Sequence, residues 1–342
     1  MKRVTIKDVA ERAGVSTGTV SRALSDRPEI SAATKARIRA ICEEMGYVPN
    51  MAARRLVKRA SHTLGLIIPD ISNPYFAEIA LEIEMVARSN GYHLLICNST
   101  RSEKREYEAA EQVLRQQVDG IIVSPSSPES MERLRTLCGS LPVIYLGDNH
   151  GPNCSYVSVN NVRGGYLGGR YLAELGHRSV AFMGGRASSR TNRYRVQGFL
   201  QAMEEYDCRS FVVDCPNEMD DADRYNRLAA EFLAQKPPIT AIFAYSDRFA
   251  FCVMRAAFDL GLRIPEDLSL LGFNNIAYAA FPHINLASIA HHNQLIGRTA
   301  VERLLAQIGG NRELTQDILE PELIVRGSCC RIGPEEPHPT SR

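Results

Sequence analysis

The residues best suited to hold a small polar molecule stand beside short apolar runs in the second half of the chain. Arg195 precedes VQGF, Asp247 follows AIFAYS, and Asn274 closes LLGFN. A guanidinium donates hydrogen bonds in a fork, a carboxylate accepts them, and an amide can do either. Because parallel strands deliver their carboxyl ends to one edge of a sheet, we expect these three side chains to line one cleft and bind one polar ligand.

Other predicted strand ends supply further candidate ligand contacts. Two aromatic side chains after the first strand could cover a flat face of a ligand, and an aspartate ends the fourth strand. Several of these residues have a structural alternative, because Ser246 and Asp247 could cap a helix and Asn73 before Pro74 could form a turn. The additional predicted contacts are Asp70, Asn73, Tyr75, Phe76, Asp148, Ser246 and His291.

The motifs that accompany catalysis or cofactor binding are missing from the sequence. There is no GxxxxGK[ST] phosphate loop, no GxGxxG after the first strand, no GxSxG elbow between a strand and a helix, and no HExxH pair. Nine scattered cysteines without a CxxC array indicate reduced thiols rather than a zinc site or a disulfide framework. We therefore predict a binding protein with no catalytic residues, cofactor or metal; an enzyme and a transport binding protein are the rival classes.

The elements that position these residues alternate regularly from Thr63 onward. Apolar runs such as LGLIIPD, YHLLICNS and GIIVSP alternate with helical stretches, and the rhythm restarts at YVSV and continues through SVAFMGG and LSLLGFNN. Continuous apolar strands separated by helices are typical of buried parallel sheets. The predicted fold class is therefore α/β, with two doubly wound lobes.

The N-terminal segment has a different pattern, that of short capped helices in an all-α headpiece. Thr5 can cap a first helix that ends at Gly14, and Ser16 can cap a second. Ala10 is small enough for a close helix crossing, Gly14 tolerates the tight turn, and Val20 anchors the second helix from below. This spacing predicts a helix-turn-helix.

The second helix of such a motif enters the major groove of DNA with its early residues against the bases. Arg22 can pair bidentately with guanine, whereas Thr17 and Ser21 could equally bind phosphate. The alternative is a three-helix bundle with a merely charged surface. The predicted headpiece contacts with DNA are Thr5, Ser16, Thr17, Gly18, Thr19, Ser21 and Arg22.

The distribution of charge supports a polyanionic partner for the headpiece. Residues 1–60 hold 13 Lys and Arg against 6 Asp and Glu, a net charge of +7, while the remainder holds 27 against 33, a net charge of −6. No run of about 18 apolar residues and no signal peptide are present, so we expect a cytoplasmic protein that does not enter a membrane.

The runs TIKDVAERAGVSTGTVSRAL and GYVPNMAARRL resemble the lactose/galactose repressor family, and the similarity continues through ISNPYFAEI, VDGIIV, LGHRSVAFMGG, YRVQGF and RIPEDLSLLGFNN. The resemblance covers roughly residues 3–327. It implies a periplasmic-binding-protein-like core whose chain crosses between the lobes near residues 160, 290 and 322. It also implies effector contacts for Arg195, Asp247 and Asn274. Gly-Phe-Asn-Asn replaces the common Gly-Phe-Asp-Asp, which removes charge and puts hexose specificity in doubt.

The resemblance also gives a role to the basic segment between headpiece and core. Pro49 and Asn50 can begin a short helix with little apolar surface of its own. In the family this segment folds when two copies pair on the operator, and Leu56 resembles the residue wedged between base steps in the minor groove. Docking of Leu56 on the core is the alternative. The predicted hinge contacts with DNA are Asn50, Ala53, Arg54 and Leu56.

The predicted domain boundaries follow these segments. The headpiece takes residues 1–46, the hinge 47–61, the first lobe 62–160 and 292–322, the second lobe 161–291 and 323–330, and a disordered tail 331–342. The C-terminal end has no heptad pattern, so a coiled coil that joins dimers is not expected.

The sequence predicts a homodimeric transcriptional regulator that binds a pseudo-palindromic operator. Of the two kinds of regulator, a repressor is the one we favour. A small-molecule effector between the lobes would control its affinity for DNA. A sugar or sugar derivative is the favoured effector, which points to carbohydrate metabolism, because hydrogen-bonding side chains with aromatic faces suit it. A purine base is the runner-up, since aromatic rings also stack on a base, and the nearby arginines leave a phosphorylated sugar open.

Overall fold

The computed structural model describes residues 4–47, 61–148, 150–215 and 222–333. The chain divides into two compact units, Met1–Ser61 and His62–Arg342. Most of the predicted tail lies outside the described residues. So do all four predicted hinge contacts, which are Asn50, Ala53, Arg54 and Leu56.

Three helices form the first unit: α1 Ile6–Ala13, α2 Thr17–Leu24 and α3 Ala32–Glu44. Thr5 caps α1 with both hydrogen bonds of a capping box, and Gly14 ends this helix in the left-handed conformation, with a φ of 63°. The inner faces of the helices meet in a small core. Its buried members are Val9, Ala10, Ala13, Val20, Ala23, Ile38 and Cys42.

The second unit begins with a lobe built on a six-stranded parallel sheet in the order β11-β5-β4-β3-β1-β2. Its strands are β1 Thr63–Ile68, β2 His93–Asn98, β3 Gly120–Val123, β4 Val143–Leu146, β5 Ser155–Val159 and β11 Gln316–Leu319. Four helices cover the two faces, namely α4 Pro74–Ser89 with α11 Asn293–Ile308, and α5 Glu103–Arg115 with α6 Pro128–Cys138.

The other lobe repeats this plan with the strand order β12-β10-β9-β8-β6-β7, in which only β12 runs antiparallel to its neighbour. Its strands are β6 Ser179–Arg186, β7 Arg209–Cys215, β8 Ala241–Ala244, β9 Ser269–Asn274, β10 Ala287–Ala290 and β12 Glu322–Ile324. The covering helices are α7 Asn161–Glu174 with α8 Arg190–Glu205, and α9 Ala222–Ala234 with α10 Asp247–Asp259; a short 3-10 helix spans Ala277–Ala280.

The chain passes between the two sheets three times. It leaves the first sheet after β5, returns to the first lobe after β10, and crosses again between β11 and β12. Segments that connect two lobes in this way can act as a hinge that changes the angle between them. Within the described part of the chain, no helix is long and apolar enough to cross a membrane.

Helices α7 and α8 approach each other so closely that their backbones touch through glycine. A Cβ atom on Gly165 would lie 2.0 Å from the carbonyl oxygen of Arg195, and one on Gly198 would lie 1.8 Å from that of Val162. Only a residue without a side chain permits this approach. Gly165 and Gly169 of the run GGYLGGR therefore pack α7 on α8, and this contact fixes the position of Arg195 relative to the start of α7.

Gly198→Ala is expected to destabilise the core, because its methyl group cannot enter the α7–α8 contact without moving a backbone. Overpacking of this kind costs about 1–3 kcal/mol of unfolding free energy. Urea denaturation measures the loss. Gly333→Ala is the matched control, since a Cβ there meets nothing within 4 Å. Equal unfolding free energies for Gly198→Ala and the parent protein would show that the two helices are not held this closely.

Candidate functional site

A cavity of about 670 Å³ lies between the two lobes of the second unit. Its walls include residues that follow the carboxyl ends of strands from both sheets, the usual place for a ligand in a doubly wound protein. Eight of the ten predicted ligand contacts line it. They are Asn73, Tyr75, Phe76, Asp148, Arg195, Ser246, Asn274 and His291.

Arg195 is the most deeply buried charge in the wall of this cavity, with 4% of its surface exposed. Its Nε donates to Asn161 Oδ1 at 2.8 Å, and Nη1 donates to the carbonyl oxygen of Tyr245. Nη2 lies 3.5 Å from Asn274 Oδ1 and 3.3 Å from His291 Nε2. All four partners are neutral, and burial lowers the pKa of Arg195 because the charged form loses water.

Aromatic rings support the same guanidinium. Its central carbon lies 3.7 Å from the ring centroid of Phe273 and 4.7 Å from that of Tyr245. A cation over a ring face is attracted by the ring's negative face. The sequence places Phe273 next to Asn274 at the end of β9, so one strand supplies both a ring and an amide to Arg195.

His291 presents a neutral imidazole beside Arg195. Because a guanidinium only donates hydrogen bonds, His291 Nε2 must accept, and the ring proton is inferred to be on Nδ1. Burial, reinforced by the Arg195 charge, holds the pKa of His291 well below its usual value. The ring of Tyr75 lies edge-on to the imidazole at 5.5 Å between centroids, and burial raises the pKa of the Tyr75 hydroxyl.

Asp148 joins the two lobes across the cavity. Its carboxylate accepts hydrogen bonds from Ser158 Oγ at 2.7 Å, from Asn161 Nδ2 at 2.8 Å and from Thr191 Oγ1 at 2.6 Å. Ser158 belongs to β5 of the first lobe, whereas Asn161 begins α7 and Thr191 lies in α8 of the second. Arg190 adds two bonds of 3.0 Å to the main-chain oxygens of Asp148 and His150.

A second set of contacts joins the lobes away from Asp148. Asp70 accepts from Arg248 at 2.9 Å, and Glu78 accepts from the main-chain nitrogen of Ala277 at 3.0 Å. Asp70 is not among the residues that line the cavity, although Arg248 is. Asp70, which was predicted to contact the ligand, instead forms an ion pair with Arg248 of the other lobe in this conformation.

Asp247 does not line the cavity, contrary to the prediction from its position after β8. Its side chain is fully buried and turns into the second lobe, where it accepts from Ser288 Oγ at 2.6 Å and from the main-chain nitrogen of Ile276 at 2.8 Å. Burial raises the pKa of Asp247 to about 7. The carboxylate holds the segment after β9, so it supports Asn274 rather than facing the cleft.

Asn73 and Ser246 take the structural roles that were the alternatives to ligand binding, and they line the cavity as well. Asn73 Oδ1 accepts from the main-chain nitrogen of Tyr75 and caps α4, and Ser246 Oγ accepts from that of Phe249 and caps α10. Both residues line the cavity. Capping fixes where each helix begins and thereby aims Tyr75 at the cleft.

Two residues that the sequence interpretation did not single out, Asn161 and Thr191, act through other residues. Asn161 orients Arg195 and bonds Asp148, and Thr191 closes the contact between the lobes. The position of Asn161 just after β5 was a signal in the sequence, because a residue that follows the carboxyl end of a strand is a candidate for the site. No sequence pattern distinguishes Thr191 from an ordinary residue in the first turn of a helix.

In the first unit, α2 presents its predicted DNA contacts on an open face. Ser16, Thr17, Gly18, Ser21 and Arg22 are exposed, and Thr19 is half-buried. Ser16 caps α2, and its hydroxyl lies 2.9 Å from Thr19 Oγ1. Thr5 is exposed at the start of α1. This is the geometry in which a recognition helix offers its first turns to base edges.

Two family models match the chain. Residues 5–50 match the model of bacterial regulatory proteins of the lacI family, and residues 61–327 match that of periplasmic binding proteins and the sugar binding domain of the LacI family. The chain belongs to the LacI family. It is a DNA-binding transcriptional regulator, and the family and fold class predicted from the sequence are confirmed.

Curated relatives of this LacI-family chain include the HTH-type transcriptional repressor PurR of Pectobacterium carotovorum subsp. carotovorum (strain PC1), 34% identical over 332 residues, which cover 95% of this chain and 96% of the relative. Among solved structures, the lac repressor dimer bound to operator and the anti-inducer ONPF is 25% identical, with a TM-score of 0.87 over 96% of this chain and all of that one. The CelR–cellobiose complex is 26% identical, with a TM-score of 0.69 over 95% of this chain and all of that one.

The raised pKa of Asp247 predicts a pH-dependent stability. Its pKa is about 7 in the folded protein against an ordinary value of 3.8, so between these values the folded state holds a proton that the unfolded chain has lost. Stability that is present below about pH 4 is therefore lost as the pH rises through about 7. Asp247→Asn stays neutral and is expected to lose less unfolding free energy over this window. Urea denaturation at about pH 5 and about pH 8 measures it; parallel pH profiles for variant and parent would contradict the assignment.

Proposed function

We propose that this chain is a homodimeric repressor whose affinity for operator DNA is set by a small molecule bound between the two lobes. The observation that carries the proposal is the cavity of about 670 Å³, whose polar wall belongs to both lobes and is crossed by the bonds of Asp148. The dimer on operator DNA described for the lac repressor, and the sugar in the cellobiose complex of CelR, support it by similarity. Such a regulator works in the cytoplasm, beside the DNA, and is not an enzyme.

The mechanism rests on differential binding to two lobe angles. A ligand that contacts both lobes favours the angle at which its contacts are best, and it shifts the equilibrium only by its difference in affinity for the two states. In the described conformation Asp148 already joins the lobes. A ligand that competes for Asn161 or Thr191 would release the lobes, and one that adds bonds would hold them.

A sugar or sugar derivative is the effector we favour, with a purine as the second candidate. Arg195 and Asn274 supply hydrogen bonds suited to a polyol, while Tyr75 and Phe76 supply apolar surface beside them. The purine candidate is favoured by the same rings, which stack on a base as well as on a sugar, and by the similarity to PurR.

The direct test is a thermal-shift screen of sugars, sugar phosphates and purines on the full-length protein, followed by operator binding in the presence of each hit. We expect at least one compound to raise the melting temperature and to change operator affinity, whichever the sign. Arg195→Met should lose both responses. A hit that stabilises the protein and leaves operator affinity unchanged, or an unaltered response of Arg195→Met, would argue against control from this cleft.

Arg22 is proposed to read a base directly. Arg22→Ala should therefore lose about 1–3 kcal/mol of discrimination at particular base pairs, the value of one bidentate contact. Competition binding with a set of singly substituted operators measures this loss. Arg12→Ala is the control, because the Arg12 guanidinium is paired with Glu44 at 2.9 Å. Equal losses on every operator sequence would make Arg22 a phosphate contact instead.

Leu56, in the hinge, is proposed to wedge between base steps of the minor groove. Leu56→Ala should weaken operator binding and reduce the bend of the DNA, while the order of preference among half-sites stays the same. Gel mobility on circularly permuted operator fragments reports the bend. An unchanged bend and affinity would leave Leu56 to dock on the core.

A further inference from the structure

Three arginines on the first two turns of α8 line the cavity without a carboxylate partner. Arg190 donates to main-chain oxygens of Asp148 and His150, and Arg193 donates to that of Ser188. Arg195 has the four neutral partners described above. Among the described residues, no carboxylate oxygen forms an ion pair with any of the three. Arg248 in the same wall is different, because Asp70 neutralises it.

Six arginines and three carboxylates line the cavity, and the carboxylate that shares a hydrogen-bonding partner with Arg195 is Asp148. The other two carboxylates are Glu103, which accepts from Ser127, and Glu129.

Asp148 is buried and its two oxygens accept from Ser158, Asn161 and Thr191. Its charge offsets part of the positive potential at a distance. Of the roughly four acceptor positions on its two oxygens, these bonds use three, so Asp148 has little capacity left for a ligand.

Two of the side chains bonded to Arg195, Asn274 and His291, are left with donor groups. Asn274 turns its oxygen to Arg195, so its NH₂ group is left for a ligand. His291 uses Nε2 as an acceptor from Arg195, which puts the ring proton on Nδ1, and that buried atom has no hydrogen-bond partner within the described residues. An uncharged sugar hydroxyl needs an acceptor for its own proton, whereas an oxyanion needs only donors.

We infer that the effector carries an oxyanion, a phosphate ester or a carboxylate, which binds beside Arg190 and Arg195 in the cleft. This inference rests on the proposed function and narrows the effector class. A buried guanidinium without a counter-ion is costly, and an anionic ligand supplies that counter-ion together with charge-assisted hydrogen bonds. Asn274 contributes to the choice, because a carboxylate at that position would repel the ligand's charge.

Paired probes test the charge requirement on the full-length protein. Calorimetric titration uses glucose 6-phosphate, ribose 5-phosphate and gluconate, the neutral parents glucose and ribose, and hypoxanthine and inorganic phosphate. At least one sugar phosphate or sugar acid should bind at least about tenfold more tightly than its neutral parent, the gain from one charge-assisted bond, and its affinity should fall with added salt. Comparing the phosphates with gluconate tells the two oxyanions apart.

Two variants connect that binding to the named residues. Arg190→Gln should weaken the anionic probe about tenfold, whereas Arg312→Gln, at an exposed position outside the cavity wall, should leave it unchanged. Asn274→Asp should weaken the anionic probe and leave any binding of its neutral parent equal or stronger. Circular dichroism of each variant checks that it is folded.

The inference is overturned if glucose, ribose or hypoxanthine binds as tightly as every anionic probe, or if no anionic probe binds at millimolar concentration. It is also overturned if Asn274→Asp binds the anionic probe as tightly as the parent protein. A neutral compound that binds the cleft and changes operator affinity would overturn the anion requirement and leave the proposed function standing. An anion that binds the cleft without changing operator affinity would support the anion requirement and overturn the proposed function.

Discussion

The carboxylate of Asp148 is the interaction on which the conformation of the core depends. It is buried, and it is bonded to its own lobe through Ser158 and to the other through Asn161 and Thr191. A buried carboxylate must be fully hydrogen-bonded, and bonds to a charged group contribute about 1.5–3 kcal/mol each. The two lobes therefore share this buried charge, in addition to the ion pair of Asp70 with Arg248, and a change in their mutual angle alters the donors around Asp148.

The ligand site is built outward from that charge. Asn161 donates from its NH₂ group to Asp148, and its oxygen accepts from Arg195. The position of the guanidinium therefore depends on that of Asp148. The close packing of α7 and α8 through Gly165 and Gly198 keeps these two side chains in register. Coupling between an effector and DNA is typically about 1–3 kcal/mol, so one or two altered bonds in this network are sufficient.

The sequence predicted the elements and the cavity more reliably than the direction of each side chain. Apolar runs and caps located the strands and helices, and Arg195 and Asn274 meet as the strand-end rule requires. The same rule brought Asp247 to the correct strand end and then failed, because a helix-starting carboxylate can turn either to a ligand or to nearby donors such as Ser288. Thr191 had no signal, since its role exists only once two lobes are placed together.

Operator affinity of Thr191→Val, measured without effector by fluorescence anisotropy, tests this account most directly. Valine keeps the shape of threonine and removes the hydroxyl that Asp148 uses from the second lobe. If the shared carboxylate sets the lobe angle, operator affinity changes although the headpiece is untouched, and the response to an effector changes with it. Operator affinity and effector response identical to those of the parent protein would show that the angle is set elsewhere.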